Sequence, residues 1–100
     1  MPLNLSFLPS FERSLKALDP KQKETTQLLL EALIIYYESS CNLSEAQKIA
    51  PRFFYKQLRK PFYEAGVKGK LRLVIRRNES ECFAMVVGNH DQIRKFLSGQ

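Results

Sequence analysis

Lys70, Arg72 and Arg76 sit at positions of one parity, with Glu64 shortly before them and the chain's single histidine, His90, shortly after. In an extended strand such positions share one face, so the three cations would line a common surface. Arginine keeps its charge and can hold two phosphate oxygens through parallel N–H donors. Histidine is the side-chain type that takes up and releases a proton near neutral pH. Together these groups meet the needs of phosphodiester transesterification in RNA: a positioned phosphate, neutralised charge and proton transfer, with no metal. A plainer reading also exists for each. The arginines can form a surface ion pair with Glu64, which is worth little, and His90 can simply occupy the start of a helix.

The charge distribution favours the first reading. The 100 residues carry a net charge of +6. The first fifty contain five positive and six negative residues, the last fifty eleven and four. Between Arg52 and Arg77, Glu64 is the sole acid. A segregated basic field of this kind suits a polyanionic partner, either nucleic acid or an acidic protein. Arg52-Phe53-Phe54-Tyr55-Lys56 interleaves aromatics with bases, a pattern that can stack on and neutralise RNA, and Lys56 joins the candidates on that ground.

Other function classes are excluded or unsupported. With 44% hydrophobic and 26% charged residues, the composition is that of one folded domain, neither a disordered tail nor a fibre. The greasiest run, Leu28 to Tyr37, is interrupted by Glu31 and is too short to span a membrane. Met1-Pro2-Leu3-Asn4 lacks the basic flank and apolar stretch of a leader peptide. Cys41 and Cys82, far apart and with one histidine, fit reduced thiols of a cytoplasmic protein and offer no zinc spacing. There is no phosphate loop, nucleophile motif or metal cluster, so neither cofactor nor metal is expected.

The elements that must position these residues read as follows. Asn4 to Phe7 alternates like a short strand. Ser10 can cap a helix carrying Phe11, Leu15 and Leu18 on one stripe. Asp19, Pro20 and Gln22 form a capping box that starts a second helix running to about Glu38, with Leu29, Leu33 and Tyr37 inward. Residues 39–60 are ambiguous; Ser44 to Gln47 can open a short helix that Pro51 breaks. Phe62 to Val67, Leu71 to Arg77 and Cys82 to Val87 are strands separated by turns. Asn89 and Gln92 form another capping box before a final helix, Asp91 to Leu97.

The register of the first hairpin follows from polarity. A two-residue loop at Lys68-Gly69 would mix apolar and basic residues on one face. A three-residue loop, 68–70, instead pairs Val67 with Leu71, Ala65 with Leu73 and Tyr63 with Ile75, and Gly69 supplies the left-handed residue such loops need. Glu64 then lies opposite Val74, diagonally between Arg72 and Arg76 on an exposed face. The expected architecture is α+β: two N-terminal helices packed on a four-stranded antiparallel sheet, closed by a short C-terminal helix.

That order of elements resembles the RelE/ParE toxin superfamily. Phe11-Glu12-Arg13-Ser14-Leu15-Lys16-Ala17-Leu18 is similar to the opening of its first helix, and Phe62-Tyr63-Glu64 to its "l-Y-E-l-R" strand. Gly69-Lys70-Leu71-Arg72-Leu73-Val74-Ile75 is similar to "g-x-y-R-l-v-y", and Val87-Gly88-Asn89-His90-Asp91 through Phe96 to "v-g-h-r-d-x-x-Y". The resemblance implies the toxin of a type II toxin–antitoxin pair, held by an acidic antitoxin protein. It implies one of two targets: mRNA on the ribosome, cut by attack of a 2′-hydroxyl on its own phosphate, or DNA gyrase. On the cleaving reading Arg72 and His90 are catalytic, and Lys56, Lys70, Arg72 and Arg76 bind RNA; a non-catalytic RNA-binding module is the remaining alternative. The chain departs from the family pattern at Phe96, where a tyrosine is common, at Leu71, and at Gly66 or Val67 in place of the strand arginine.

Overall fold

The structure, a computed structural model, describes residues 4–99, so the leader reading of 1–3 lies outside the described residues. Nine elements follow in order: β1 (Asn4–Phe7), α1 (Pro9–Lys16), α2 (Pro20–Glu38), α3 (Leu43–Ile49), β2 (Phe53–Gln57), β3 (Phe62–Val67), β4 (Leu71–Arg77), β5 (Glu81–Gly88) and α4 (His90–Ser98). The five strands form one sheet in the order β1-β5-β4-β3-β2. No described helix is long and apolar enough to cross a membrane.

Two parts of the expected architecture need correction. The sheet has five strands and is mixed, because β1 pairs parallel to β5. It joins the sheet for four residues only, after which Leu8 N–H donates to Ala84 O and α1 takes over that edge. Ser10, read as a cap, instead donates to Met85 O at 2.6 Å, while Ser14 Oγ accepts from Val87 N–H. Leu8 is the residue that precedes α1, and Pro9 starts it. The fifth strand, β2, comes from the aromatic-basic run. Phe53 is buried among the helices while Phe54 and Lys56 occupy the other face. Apolar character on both faces hid its two-residue period. A third helix before β2 is capped by Asn42, whose side chain accepts from Ser44 and Glu45 N–H.

Other expectations hold. Both capping boxes form, at Asp19 with Gln22 and at Asn89 with Gln92. The hairpin pairs Val67 with Leu71, Ala65 with Leu73 and Tyr63 with Ile75, and Gly69 has φ of 79°. That register sends Ala65, Leu73, Ile75 and Ala84 into the core beneath Phe11, Leu29, Ala32 and Leu33 of α1 and α2.

The second face is not simply exposed, contrary to expectation. Ile93, Phe96 and Leu97 of α4 pack on Val74 and Val86, both buried, and on Phe62 and Met85. A bulge in β5 between the Val74 and Ile75 partners makes this possible: Val74 pairs with Val86 and Ile75 with Ala84, so Met85 is the extra residue. Half of this face is therefore a second small core, and the other half carries the charge.

At the helix-side edge of the main core, Tyr37 Oη and Tyr55 Oη are hydrogen-bonded at 2.7 Å, and Cys82 Sγ donates to Tyr37 Oη at 3.8 Å. Arg77 lies over the Tyr37 ring, 4.8 Å from its centroid. Burial pushes the ionisation of Tyr37, Tyr55 and Cys82 upward. The folded state thus holds these protons more tightly than the unfolded chain, and its stability falls as pH rises past the unfolded values, from about pH 9 upward. Urea midpoints measured from about pH 8 to about pH 11 should drop along this range, and Tyr37→Phe should flatten the drop. A Tyr37→Phe curve parallel to wild type contradicts it.

Candidate nucleic-acid interface

Three cross-strand rows make up the second face from β2 to β5. Phe54, Gly66, Arg72 and Gly88 are successive partners across β2, β3, β4 and β5. The next row is Lys56, Glu64, Val74 and Val86, and the row beyond it is Phe62, Arg76 and Phe83. Residues in such rows stand side by side, about 5 Å apart from strand to strand.

Glu64 is the centre of this arrangement. It is 3% exposed, yet its neighbours on either row carry charge. Arg72 Nη1 donates to Glu64 Oε1 at 3.1 Å, and Lys56 Nζ lies 3.4 Å from the same oxygen. A carboxylate this deep must be paired, since an unpartnered buried charge is very costly. The pairing works in the other direction too. It fixes the guanidinium of Arg72, whose side chain is 26% exposed, while the Lys56 side chain remains 54% exposed.

The Arg72 plane is supported from a second side. Its Cζ lies 5.3 Å from the centroid of the Phe54 ring. The ring can lie there because its cross-strand neighbour is Gly66: a β-carbon at that position would stand 2.6 Å from the ring and 2.8 Å from the Leu71 carbonyl oxygen. On the β5 side the neighbour is again a glycine, Gly88. Arg72 is therefore walled by an aromatic ring and a carboxylate, and on its β5 flank the Gln92 side chain of α4 fills the space above Gly88, where a β-carbon would stand 2.5 Å from Gln92 Oε1. Among the described residues its other guanidinium nitrogens make no hydrogen bond, which leaves donors free for an anion.

The remaining candidates fall at graded distances. His90 is exposed and opens α4, two residues beyond Gly88. Its Cα is therefore within about 12 Å of that of Arg72, given the strand spacing and the reach of two residues. Arg76 is exposed in the same strand and on the same face, four residues and about 13 Å along from Arg72. Lys70 is in the β3–β4 turn, where it lines a groove with Asp19, Gln22 and Thr25 beside α2. The fold thus gathers Lys56, Arg72 and His90 at one end of the face, sets Arg76 in line with them, and leaves Lys70 on the helix side. Phe96 packs into the second core and presents no hydroxyl.

Two contributors escaped the sequence reading. Phe54 could have been assigned from the alternation Phe53-Phe54-Tyr55-Lys56, had one known which face its neighbours bury. Strand parity puts Glu64 on the right face but not at its depth, because the closeness of Arg72 and Lys56 to it is a tertiary fact. Among the described residues no group of three or more histidines, cysteines and acids is placed to hold a metal ion.

The Glu64–Arg72 contact can be measured as an energy. In a double-mutant cycle of Glu64→Gln and Arg72→Met, followed by urea unfolding, a coupling of about 1–3 kcal/mol is expected. Single effects that add to within about 0.5 kcal/mol would show that the two residues are independent.

No protein-family model matches the chain, and no curated protein matches it. Solved structures do. The RelB–RelE antitoxin–toxin complex from Methanococcus jannaschii contains a chain that superposes with a TM-score of 0.61 at 17% identity, over 91% of this chain and 96% of that one. A copper-bound mutant toxin from Helicobacter pylori superposes with a TM-score of 0.59 at 22% identity, over 91% of this chain and 98% of that one. At these identities the likeness is one of architecture. What the chain shares with these two toxin structures is the fold.

Proposed function

We propose that the chain is the toxin of a toxin–antitoxin pair and acts as a metal-independent endonuclease on mRNA in the translating ribosome. The observation that carries this reading is the Arg72 guanidinium, fixed by buried Glu64 and by Phe54 with donors to spare, next to Lys56 and near His90. The shared architecture with toxin structures supports the first part of the proposal.

Arg72 would hold the non-bridging oxygens of the scissile phosphate and offset the charge that builds there during attack. The 2′-hydroxyl oxygen forms a bond to phosphorus as the bond from phosphorus to the 5′ oxygen breaks. The products are a 2′,3′-cyclic phosphate and a 5′-hydroxyl end. One proton must leave the 2′-hydroxyl and one must reach the departing 5′ oxygen; His90, exposed at the start of α4, is the group suited to one of these transfers. Lys56 and Arg76 would hold flanking phosphates. In the cell, an acidic antitoxin protein would neutralise the basic half of the chain.

A reconstituted translation system with mRNA ends mapped tests this. Wild type should cut ribosome-bound mRNA. Arg72→Ala should weaken RNA binding and cleavage together, flattening the slope of log affinity against log salt by about 0.7 for single-stranded RNA. His90→Ala should spare binding and slow cleavage by about 10²–10⁴-fold. Intact mRNA with wild type overturns the nuclease reading and directs the assay to gyrase supercoiling.

A further inference from the structure

A second surface, on the opposite side of the molecule, is built for a different kind of ligand. A groove of about 280 Å³ runs between α2 and the β3–β4 turn, floored by Val67 and the α3–β2 turn at Ala50 and Pro51. Leu28 and Ile49 line it and are 47% and 38% exposed, two of the five large hydrophobic residues left open to solvent among those described. Its polar rim is Arg52 and Lys70. Neither of them makes an ion pair among the described residues, in contrast to Lys48, which is taken by Glu45 at 2.7 Å.

The groove continues into the depression at the start of α2, with which it shares Thr25 and Lys70, and there Lys21 adds a third cation. From Asp19 to Leu28 the trough follows α2 for about 14 Å, or two and a half helical turns. Asp19, the acid beside it, already accepts from Gln22 N–H as the cap of α2. An apolar floor with unpaired cations along one rim is complementary to an amphipathic segment that offers apolar anchors and carboxylates. Single-stranded RNA fits this trough poorly: no aromatic ring lines it for a base to stack on.

We infer that this trough docks an acidic amphipathic segment of a partner protein, with apolar side chains on Leu28 and Ile49 and carboxylates at Arg52 and Lys70. The source of that segment, the antitoxin, rests on the toxin reading; the groove chemistry does not. Such docking would leave the Arg72 face uncovered, so the partner would hold the toxin at two separate places or from the rear alone.

Fluorescence anisotropy of a labelled designed helix, about 15 residues long with leucines at i, i+4 and i+7 and glutamates flanking them, tests this on the full chain. The peptide should bind wild type. Leu28→Ser, Ile49→Ser and Arg52→Glu, all at exposed positions that tolerate change, should each weaken it about ten-fold. Ile34→Ser, which removes an equally exposed residue elsewhere on α2, should leave binding unchanged. The proposal falls if the groove variants bind as wild type does, or if Ile34→Ser weakens binding equally. It also falls if a lysine version of the peptide binds as tightly, or if the groove variants reduce binding of single-stranded oligo-uridine instead. A wild-type dimer that Ile49→Ser dissolves would assign the trough to a second copy and likewise overturn it. Since no ribosome enters this assay, a groove that stays empty leaves the toxin reading standing, and a failed translation arrest leaves the groove standing.

Discussion

The second face of the sheet depends on one buried carboxylate. A carboxyl group as deep as that of Glu64, 3% exposed, needs polar partners, and it has two, Arg72 and Lys56, both on the same oxygen. Replacing the trio with apolar residues would cost the fold little, because such pairs often repay little more than their desolvation. What the trio does is hold an arginine in one orientation on a surface where arginine side chains are otherwise free. A fixed guanidinium loses less freedom when it takes a phosphate than a mobile one does.

Everything around that trio divides one sheet face into two territories. α4 covers the Val74–Val86 end with Ile93, Phe96 and Leu97. The two glycines of the Phe54-Gly66-Arg72-Gly88 row make room for side chains beside the arginine, the Phe54 ring over Gly66 and Gln92 of α4 over Gly88. The bulge at Met85 helps form the apolar half and gives Ser10 of α1 a carbonyl to dock on.

What could be read from the sequence was local. Capping boxes at Asp19 and Asn89 need only residues three apart, and the β3–β4 register needed only the polarity of two strands and a glycine between them. The parallel pairing of β1 could not be read, since an isolated four-residue strand carries no sign of which edge it will join. β2 was hidden because Phe53, Phe54 and Tyr55 are aromatic on both faces, which erases the two-residue period. The site divided along the same line. Arg72 and Arg76 follow from strand parity, whereas the burial of Glu64 depends on its pairing with Arg72 and with Lys56 of β2, and the place of Lys70 depends on α2.

Backbone amide shifts of the isotope-labelled chain, titrated with a short single-stranded RNA at low salt, test the Arg72 face most directly. Changes should centre on Phe54, Lys56, Arg72 and the Gly88–His90 segment, extend weakly to Arg76, and fade in Arg72→Ala. Changes confined to α2 and the β3–β4 turn, or none at all, would contradict a nucleic-acid interface centred on Arg72.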